Sequence, residues 1–234
     1  MNFSLSIVIP VYNEAARITK SLEKIIKYFE RDDYEILIID DGSSDRTLDI
    51  VRSFRNNRIR ILRNEVNLGK GYSVKKGVLA ATKSHILFSD ADLSTPIAEF
   101  EKFKPYLKSH DILIGSRAMT NSDVKVRQPI YKVILGRLGN LMIRLLAVKG
   151  IQDTQCGFKL FNRQSKKLFT KSTIYRWGFD FEILYIAQKQ KLNIKEIPVV
   201  WVNDPRSKVK KIDYLITFYD LIKIRINNIL GKYK

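Results

Sequence analysis

This chain of 234 residues predicts an α/β fold, a mainly parallel central sheet with helices on both faces, on three observations. Short runs rich in Ile, Leu and Val begin at intervals of about 25 to 29 residues, and the segments between them carry apolar residues at helical spacing. Runs that are almost continuously apolar suit strands buried on both faces, which is the situation in a parallel sheet covered by crossover helices. The runs also end in acidic or glycine-rich residues, and open α/β sheets take their ligands beyond the carboxyl ends of their strands.

The elements follow in order. A first strand spans Leu5 to Pro10, and Ala15, Ile18, Leu22, Ile25, Ile26 and Phe29 mark one face of a helix. A second strand spans Tyr34 to Asp40, with a shorter helix over Leu48, Val51 and Phe54. A third covers Ile59 to Arg63, and Asn67-Leu68-Gly69-Lys70-Gly71 opens the next helix. The fourth and fifth strands are His85 to Ser89 and Asp111 to Ser116. Residues 129–151 form a long apolar helix with Lys132, Arg137, Arg144 and Lys149 scattered around it. After DTQCGFKLFNR come a helix from Ser165, another from Asp180 to Lys189, and a strand from Lys195 to Val202. The tail, Ile212 to Leu230, puts Leu215, Phe218, Ile222, Ile226 and Ile229 on one side of a helix and Asp213, Asp220, Lys223 and Asn227 on the other. One domain over 1–209 with an amphipathic basic helical extension over 210–234 is the economical organisation.

Composition bounds the partners. One cysteine, Cys156, excludes an internal disulfide framework and fits a reducing compartment, and no Cys/His cluster has zinc spacing. MNFSLSIVIPVYNE lacks a basic leader region and reads as a first strand, not a signal peptide. The longest stretch free of Lys, Arg, Asp and Glu is the 13 residues from Met1 to Asn13, too short for a spanning helix. The formal net charge of +18 is uneven: residues 1–117 hold 19 basic and 16 acidic residues, and 118–234 hold 23 and 8. Such a basic half suits an anionic membrane surface, a phosphorylated ligand or nucleic acid. Its aromatic and basic residues are not interleaved as a single-strand binder would have them, so nucleic acid is not the expected partner.

The motifs carry the chemistry. Asp90-Ala91-Asp92 leaves the fourth strand with two carboxylates pointing the same way, which repel unless a cation lies near them. Hard oxygen donors suit Mg²⁺ or Mn²⁺ shared with a diphosphate, while an isolated D-x-D also fits a plain strand-to-turn junction. In Asp40-Asp41-Gly42-Ser43-Ser44-Asp45, Gly42 allows a tight turn and Ser44 or Asp45 can cap a helix, which leaves Asp41 for a polar ligand. The Gly69-Lys70 loop fits an anion contact or a plain turn equally.

Taken in order, SIVIPVYNE, IIDDGSSD, NLGKG, SDAD and GSR resemble the family 2 glycosyltransferases of GT-A fold. DTQCGFKLF, RWGFDFEILY and IPVVW followed by SKV resemble the polyprenyl-phosphate sugar transferases within it, most of all the dolichyl-phosphate β-glucosyltransferase branch. The likeness runs from Leu5 to about Val209.

The resemblance implies a nucleotide-sugar half, 1–117, and an acceptor half, 118–209, whose helix 129–151 is interfacial. Pro10, Val11, Tyr12 and Glu14 would line the nucleoside pocket, Asp41 would read the base, Gly69 and Lys70 would face the donor, and Asp90, Ala91 and Asp92 would hold ribose, diphosphate and Mg²⁺ or Mn²⁺. Asp92, Arg117 and Asp180 would be catalytic. Arg117, Arg127, Arg206 and Lys208 would meet the acceptor phosphate, and Asp153 and Gln155 the sugar. The implied reaction is inverting transfer of a hexose, glucose from UDP-glucose first, to a dolichyl or undecaprenyl monophosphate by a protein peripheral to the cytoplasmic membrane face. GDP-mannose as donor, or a glycan hydroxyl as acceptor, are the alternatives. FSDADLSTP lacks the Gln-His-Pro-Pro continuation common in mannosyl relatives, and Arg206 stands where a glycine usually precedes Ser-Lys.

Overall fold

The computed structural model describes residues 3–125, 130–202 and 212–233. β1 (Ser4–Val11), β2 (Asp33–Asp40), β3 (Ile59–Arg63) and β4 (His85–Ser89) alternate with α1 (Ile18–Tyr28), α2 (Thr47–Ser53) and α3 (Lys70–Ala80). Two 3₁₀ turns, Ile97–Lys102 and Lys104–Tyr106, lead to β5 (Ile112–Ser116) and β6 (Asp123–Val124). The remainder comprises α4 (Ile130–Leu146), β7 (Phe158–Asn162), a 3₁₀ turn at Arg163–Lys167, α5 (Leu168–Lys171), α6 (Phe179–Lys189), β8 (Ile194–Pro198), β9 (Val200–Trp201) and α7 (Ile212–Ile229).

Seven strands form one sheet in the order β3-β2-β1-β4-β7-β5-β8, and β6 pairs with β9 in a separate ribbon. All the pairings in the large sheet are parallel except those of β7, which runs against both β4 and β5. Residues 158–162 were not expected to be a strand. Their alternation is clear, Phe158 and Leu160 facing one way and Lys159 and Phe161 the other, but the lysine breaks the apolar run although it is itself buried. The expected strand over 195–202 divides after Pro198: Val199 N still donates to Ser116 O at 3.2 Å, and Val200–Trp201 then turns away to join β6. The helix expected from Ser165 is a 3₁₀ turn followed by one turn of α5.

Alternation along the strands feeds two cores. Leu5, Ile7 and Ile9 of β1 and Ile36 and Ile38 of β2 pack with Ile18, Leu22 and Ile25 of α1, and with Phe100 and Phe103. Val8, Leu37, Ile39, Ile86 and Phe88 face the other way, onto Val74 and Val78 of α3 and onto α6. This is the three-layer arrangement that the strand and helix periods predict.

Helix α7 belongs to the second core, but in an unexpected orientation. Leu221 and Ile224 are buried there, and so are Asp220 and Asn227. The predicted apolar stripe Leu215, Phe218, Ile222, Ile226 and Ile229 is turned outward, from 43% exposed at Ile222 to 82% at Ile229. α7 packs beside α4, whose Leu138, Leu141, Leu145 and Leu146 are also exposed. The polar inward face is anchored: Asn227 Nδ2 donates to Thr173 Oγ1 at 2.9 Å, and Tyr233 Oη donates to Glu182 Oε1 at 2.7 Å.

Candidate active site

The carboxyl ends of β1, β2, β4 and β5 and the amino end of β7 share one rim. The register brings them there: Val11 is opposite Asp40, and Ser89 is opposite Phe158. Asp90 follows directly, its N–H donating to Gly157 O at 3.0 Å. A Cβ at Gly157 would lie 1.9 Å from Asp90 Oδ2, so a larger residue there would push the Asp90 carboxylate out of this position.

Asp90 and Asp92 reach the rim partly exposed, at 32% and 23% of their side chains. Burial, and next the neighbouring charge of Asp90, raise the Asp92 carboxyl above the ordinary carboxylate range. Hard oxygen donors in that state fit a divalent cation, which would relieve desolvation and repulsion together. Among the described residues no group of three or more His, Cys, Asp or Glu could hold a metal. Asp90 and Asp92 alone would suit a metal whose other ligands came from a substrate.

Cations stand against this pair. Lys70 Nζ lies 2.7 Å from Asp90 Oδ1 and 5.2 and 5.4 Å from the ring centres of Phe88 and Trp177. Burial works against its charge, but Asp90 and then Asp180 outweigh burial and raise the ammonium pKa. Arg17 binds Glu14, with Nη2 2.9 Å from Oε1, and lies 3.9 Å from Asp92 Oδ2. Glu14, expected in the nucleoside pocket, is thus the residue that orients Arg17.

The predicted residues come together on this rim, with Pro10, Val11 and half-exposed Tyr12 closing β1 and Ala91 buried between the two aspartates. Asp41 is buried, and its oxygens accept from Asn64 Nδ2 at 2.8 Å, Leu68 N at 3.0 Å and Gly69 N at 2.8 Å. It therefore shapes the Gly69-Lys70 loop, and a base would add to a carboxylate already engaged. Gly69 has φ +105°, and a Cβ there would fall 2.3 Å from Tyr175 O, so this glycine admits the Tyr175-Arg176-Trp177 segment that carries Trp177 to Lys70.

Arg117 leaves β5 gripped by Asp153: Nε to Oδ2 at 2.7 Å, Nη2 to Oδ1 at 2.8 Å, and its backbone N to Oδ2 at 2.9 Å. Burial opposes both charges, yet the pairing prevails, raising the guanidinium pKa and lowering that of the carboxyl. The Arg117 guanidinium also lies 5.4 Å from the Trp201 ring centre. Asp153 is thus Arg117's anchor, and Gln155 N donates to its Oδ1 at 3.3 Å. Asp180 is buried and paired with Lys159, which also donates to Cys156 O at 2.6 Å. Burial, then Asp153, pushes the Cys156 thiol up to about 11, so it is packing and not a nucleophile. Arg127, Arg206 and Lys208 lie outside the described residues.

Four residues of the site were not singled out from sequence: Arg17, Gly157, Lys159 and Trp177. Only Lys159 carried a usable signal, a lysine inside an alternating apolar pentapeptide, which a buried strand accepts only with a charged partner.

Residues 6–169 match the family described as Glycosyl transferase family 2. The chain is 36% identical over 252 residues to the dolichyl-phosphate beta-glucosyltransferase of Dictyostelium discoideum, covering 100% of this chain and 77% of that one. It is 32% identical over 250 residues to that of Homo sapiens, covering 98% and 77%. Mannosyl-3-phosphoglycerate synthase from Rubrobacter xylanophilus superposes with a TM-score of 0.72 at 17% identity, over 98% of this chain and 75% of that one. A mannosyltransferase from Pyrobaculum calidifontis, solved with GDP-Man and Mn²⁺, gives 0.65 at 17% identity, over 98% and 65%. These likenesses carry the GT-A architecture that the sequence resemblance implied.

Proposed function

Because this chain belongs to glycosyl transferase family 2 and is a glycosyltransferase, we propose that it transfers glucose from UDP-glucose to a polyprenyl monophosphate, inverting the anomeric carbon. The observation that carries the acceptor class is similarity along nearly the whole chain to relatives named for dolichyl phosphate. The nucleotide sugar lies along the rim from Pro10, Val11, Tyr12 and Asp41 to Asp90 and Asp92. Asp90 and Asp92 would hold Mg²⁺ or Mn²⁺, which would supply positive charge for the departing diphosphate; the Mn²⁺ in the Pyrobaculum structure supports that choice.

The chain's own residues do the rest. A lipid monophosphate, with a second pKa near 6, is already a nucleophile at neutral pH and requires no strong base. That agrees with Asp180, whose carboxylate is buried on Lys159 and poorly placed to take a proton from a hydroxyl acceptor. Arg117, with two of its donor atoms fixed by Asp153, presents Nη1 to the acceptor phosphate and brings it toward the donor. Arg127, Arg206 and Lys208, which the resemblance assigns to the acceptor phosphate, would add further positive charge.

We assign the outward faces of α4 and α7 to the membrane surface that holds the lipid. No helix among the described residues is long and apolar enough to cross a membrane. A broad apolar surface on a basic half suits lying on anionic lipid at its cytoplasmic face. In vesicle pelleting with anionic lipid, the double variant Ile222→Ser/Ile226→Ser should lose at least about tenfold in membrane association while its circular dichroism is unchanged. Unaltered pelleting would remove α7 from the contact.

The direct test incubates the protein with Mn²⁺, polyprenyl phosphate and radiolabelled UDP-glucose, UDP-galactose or GDP-mannose in turn. Label should enter a butanol-extractable lipid from UDP-glucose first. Label from GDP-mannose alone would move the protein to the mannosyl branch, and label from no donor would end the proposal.

A further inference from the structure

Lys70 occupies an oxygen that the proposed metal also needs. Its Nζ is 2.7 Å from Asp90 Oδ1 and its side chain is only 21% exposed, so a divalent cation approaching Asp90 meets an ammonium already on the carboxylate. The ammonium has somewhere else to go. It arrives on the first turn of α3, not on β4, and it is flanked by the rings of Phe88 and Trp177, which solvate a cation whether or not a carboxylate is present. Asp180, locked from below by Lys159, keeps a negative charge behind it. Arg17 behaves differently: its bidentate grip on Glu14 leaves it standing 3.9 Å from Asp92 with no comparable freedom.

We propose that Lys70 is an exchangeable counterion, which neutralises Asp90 in the resting protein and passes to the donor's diphosphate when a divalent cation takes the carboxylate. Metal and nucleotide then bind as a cooperative pair. Metal alone would place two positive charges beside Lys70, and nucleotide alone would have to compete with Asp90 for the ammonium; bound together, each removes the other's obstacle. The inference rests on the nucleotide-sugar reading and adds the origin of its metal coupling.

Titration calorimetry of the full chain with Mn²⁺ alone, UDP alone, and each in the presence of the other tests it without turnover. In the wild-type protein each ligand should tighten the other by about tenfold or more, within the usual range of coupling between sites. In Lys70→Met, which keeps an unbranched side chain between Phe88 and Trp177, Mn²⁺ alone should bind about 3- to 10-fold tighter. UDP with Mn²⁺ should bind about tenfold weaker, and the coupling should fall below about 3-fold. Lys70→Arg, which keeps the charge, should restore most of the coupling. A purely structural lysine would weaken metal and nucleotide alike; Mn²⁺ binding unchanged or weakened in Lys70→Met overturns the exchange. If wild-type protein binds neither UDP nor GDP with Mn²⁺, the nucleotide-sugar reading fails and takes the exchange with it.

Discussion

Asp92→Ala lowers glycosyl transfer by about 10³-fold or more and leaves the fold intact: that is the largest effect on activity we expect. The reason is local. On the proposed reading the carboxylate is one of two that would face the departing diphosphate, and its loss would remove both a metal ligand and half of the charge that would draw the metal in. The protein should not miss it otherwise. Burial and the Asp90 charge already hold its pKa above the ordinary value, and a carboxyl whose folded pKa is raised favours folding less as pH climbs through that pKa. Removing it therefore costs little beyond the 2.9 Å hydrogen bond from Ser94 N and the 3.9 Å approach of Arg17. Lipid-linked label and thermal melting at pH 7.5, measured on the same preparation, should show activity gone and Tm within about 2 °C of wild type. An active Asp92→Ala variant would take the metal role away from this residue.

Lys159→Met is expected to act on stability with comparable force. Lys159 and Asp180 expose 2% and 4% of their side chains, so deleting the ammonium leaves a carboxylate buried without its partner. Breaking a buried pair from one side typically costs 3–5 kcal/mol, about 10 °C in Tm for a chain of this size. Adding Asp180→Asn should recover most of that loss, because the stranded charge goes with it. Chemical denaturation of the wild type, both single variants and the double variant closes the cycle. A loss below about 1 kcal/mol in Lys159→Met would mean that water reaches Asp180 and the site's floor is wetter than the geometry indicates.

Much of this architecture was legible in the chain itself, for identifiable reasons. Buried parallel strands are nearly continuous in apolar residues, so β1 to β5 stood out, and their carboxyl ends gathered Asp41, Asp90, Asp92 and Arg117 on one rim by topology alone. What could not be read was pairing. Nothing in the letters of PVYNEAAR says that Glu14 turns Arg17 toward Asp92, or that both oxygens of Asp41 are spent on the loop before Lys70. Glu14 and Arg17 are only three residues apart, but the approach to Asp92 and the bonds from Asp41 to Leu68 and Gly69 join segments distant along the chain, and spacing carries no record of those. The orientation of α7 was hidden for another reason. Periodicity separates Leu215, Phe218, Ile222, Ile226 and Ile229 from Asp220 and Asn227, but the usual assumption that the apolar face turns inward fails where Thr173 awaits Asn227 inside.

The single reversed strand also sets a timetable. β5 has β7 and β8 as its neighbours in the sheet, and 41 residues, 117 to 157, lie between Ser116 and Phe158. At synthesis rates of about 5–20 residues per second, that interval lasts about 2–8 s. Throughout it β1 to β4 can already be paired, while the nascent chain carries two open edges: β5, and the flank of β4 that β7 will cover. Gly157 arrives beneath Asp90 only at the end of that interval, and Lys159, Trp177 and Asp180 follow later still, so the surroundings of the carboxylates are completed last. Slowing the ribosome between residues 117 and 157 would prolong the exposure of those edges, and with it the period in which two nascent chains can pair with each other instead of with themselves.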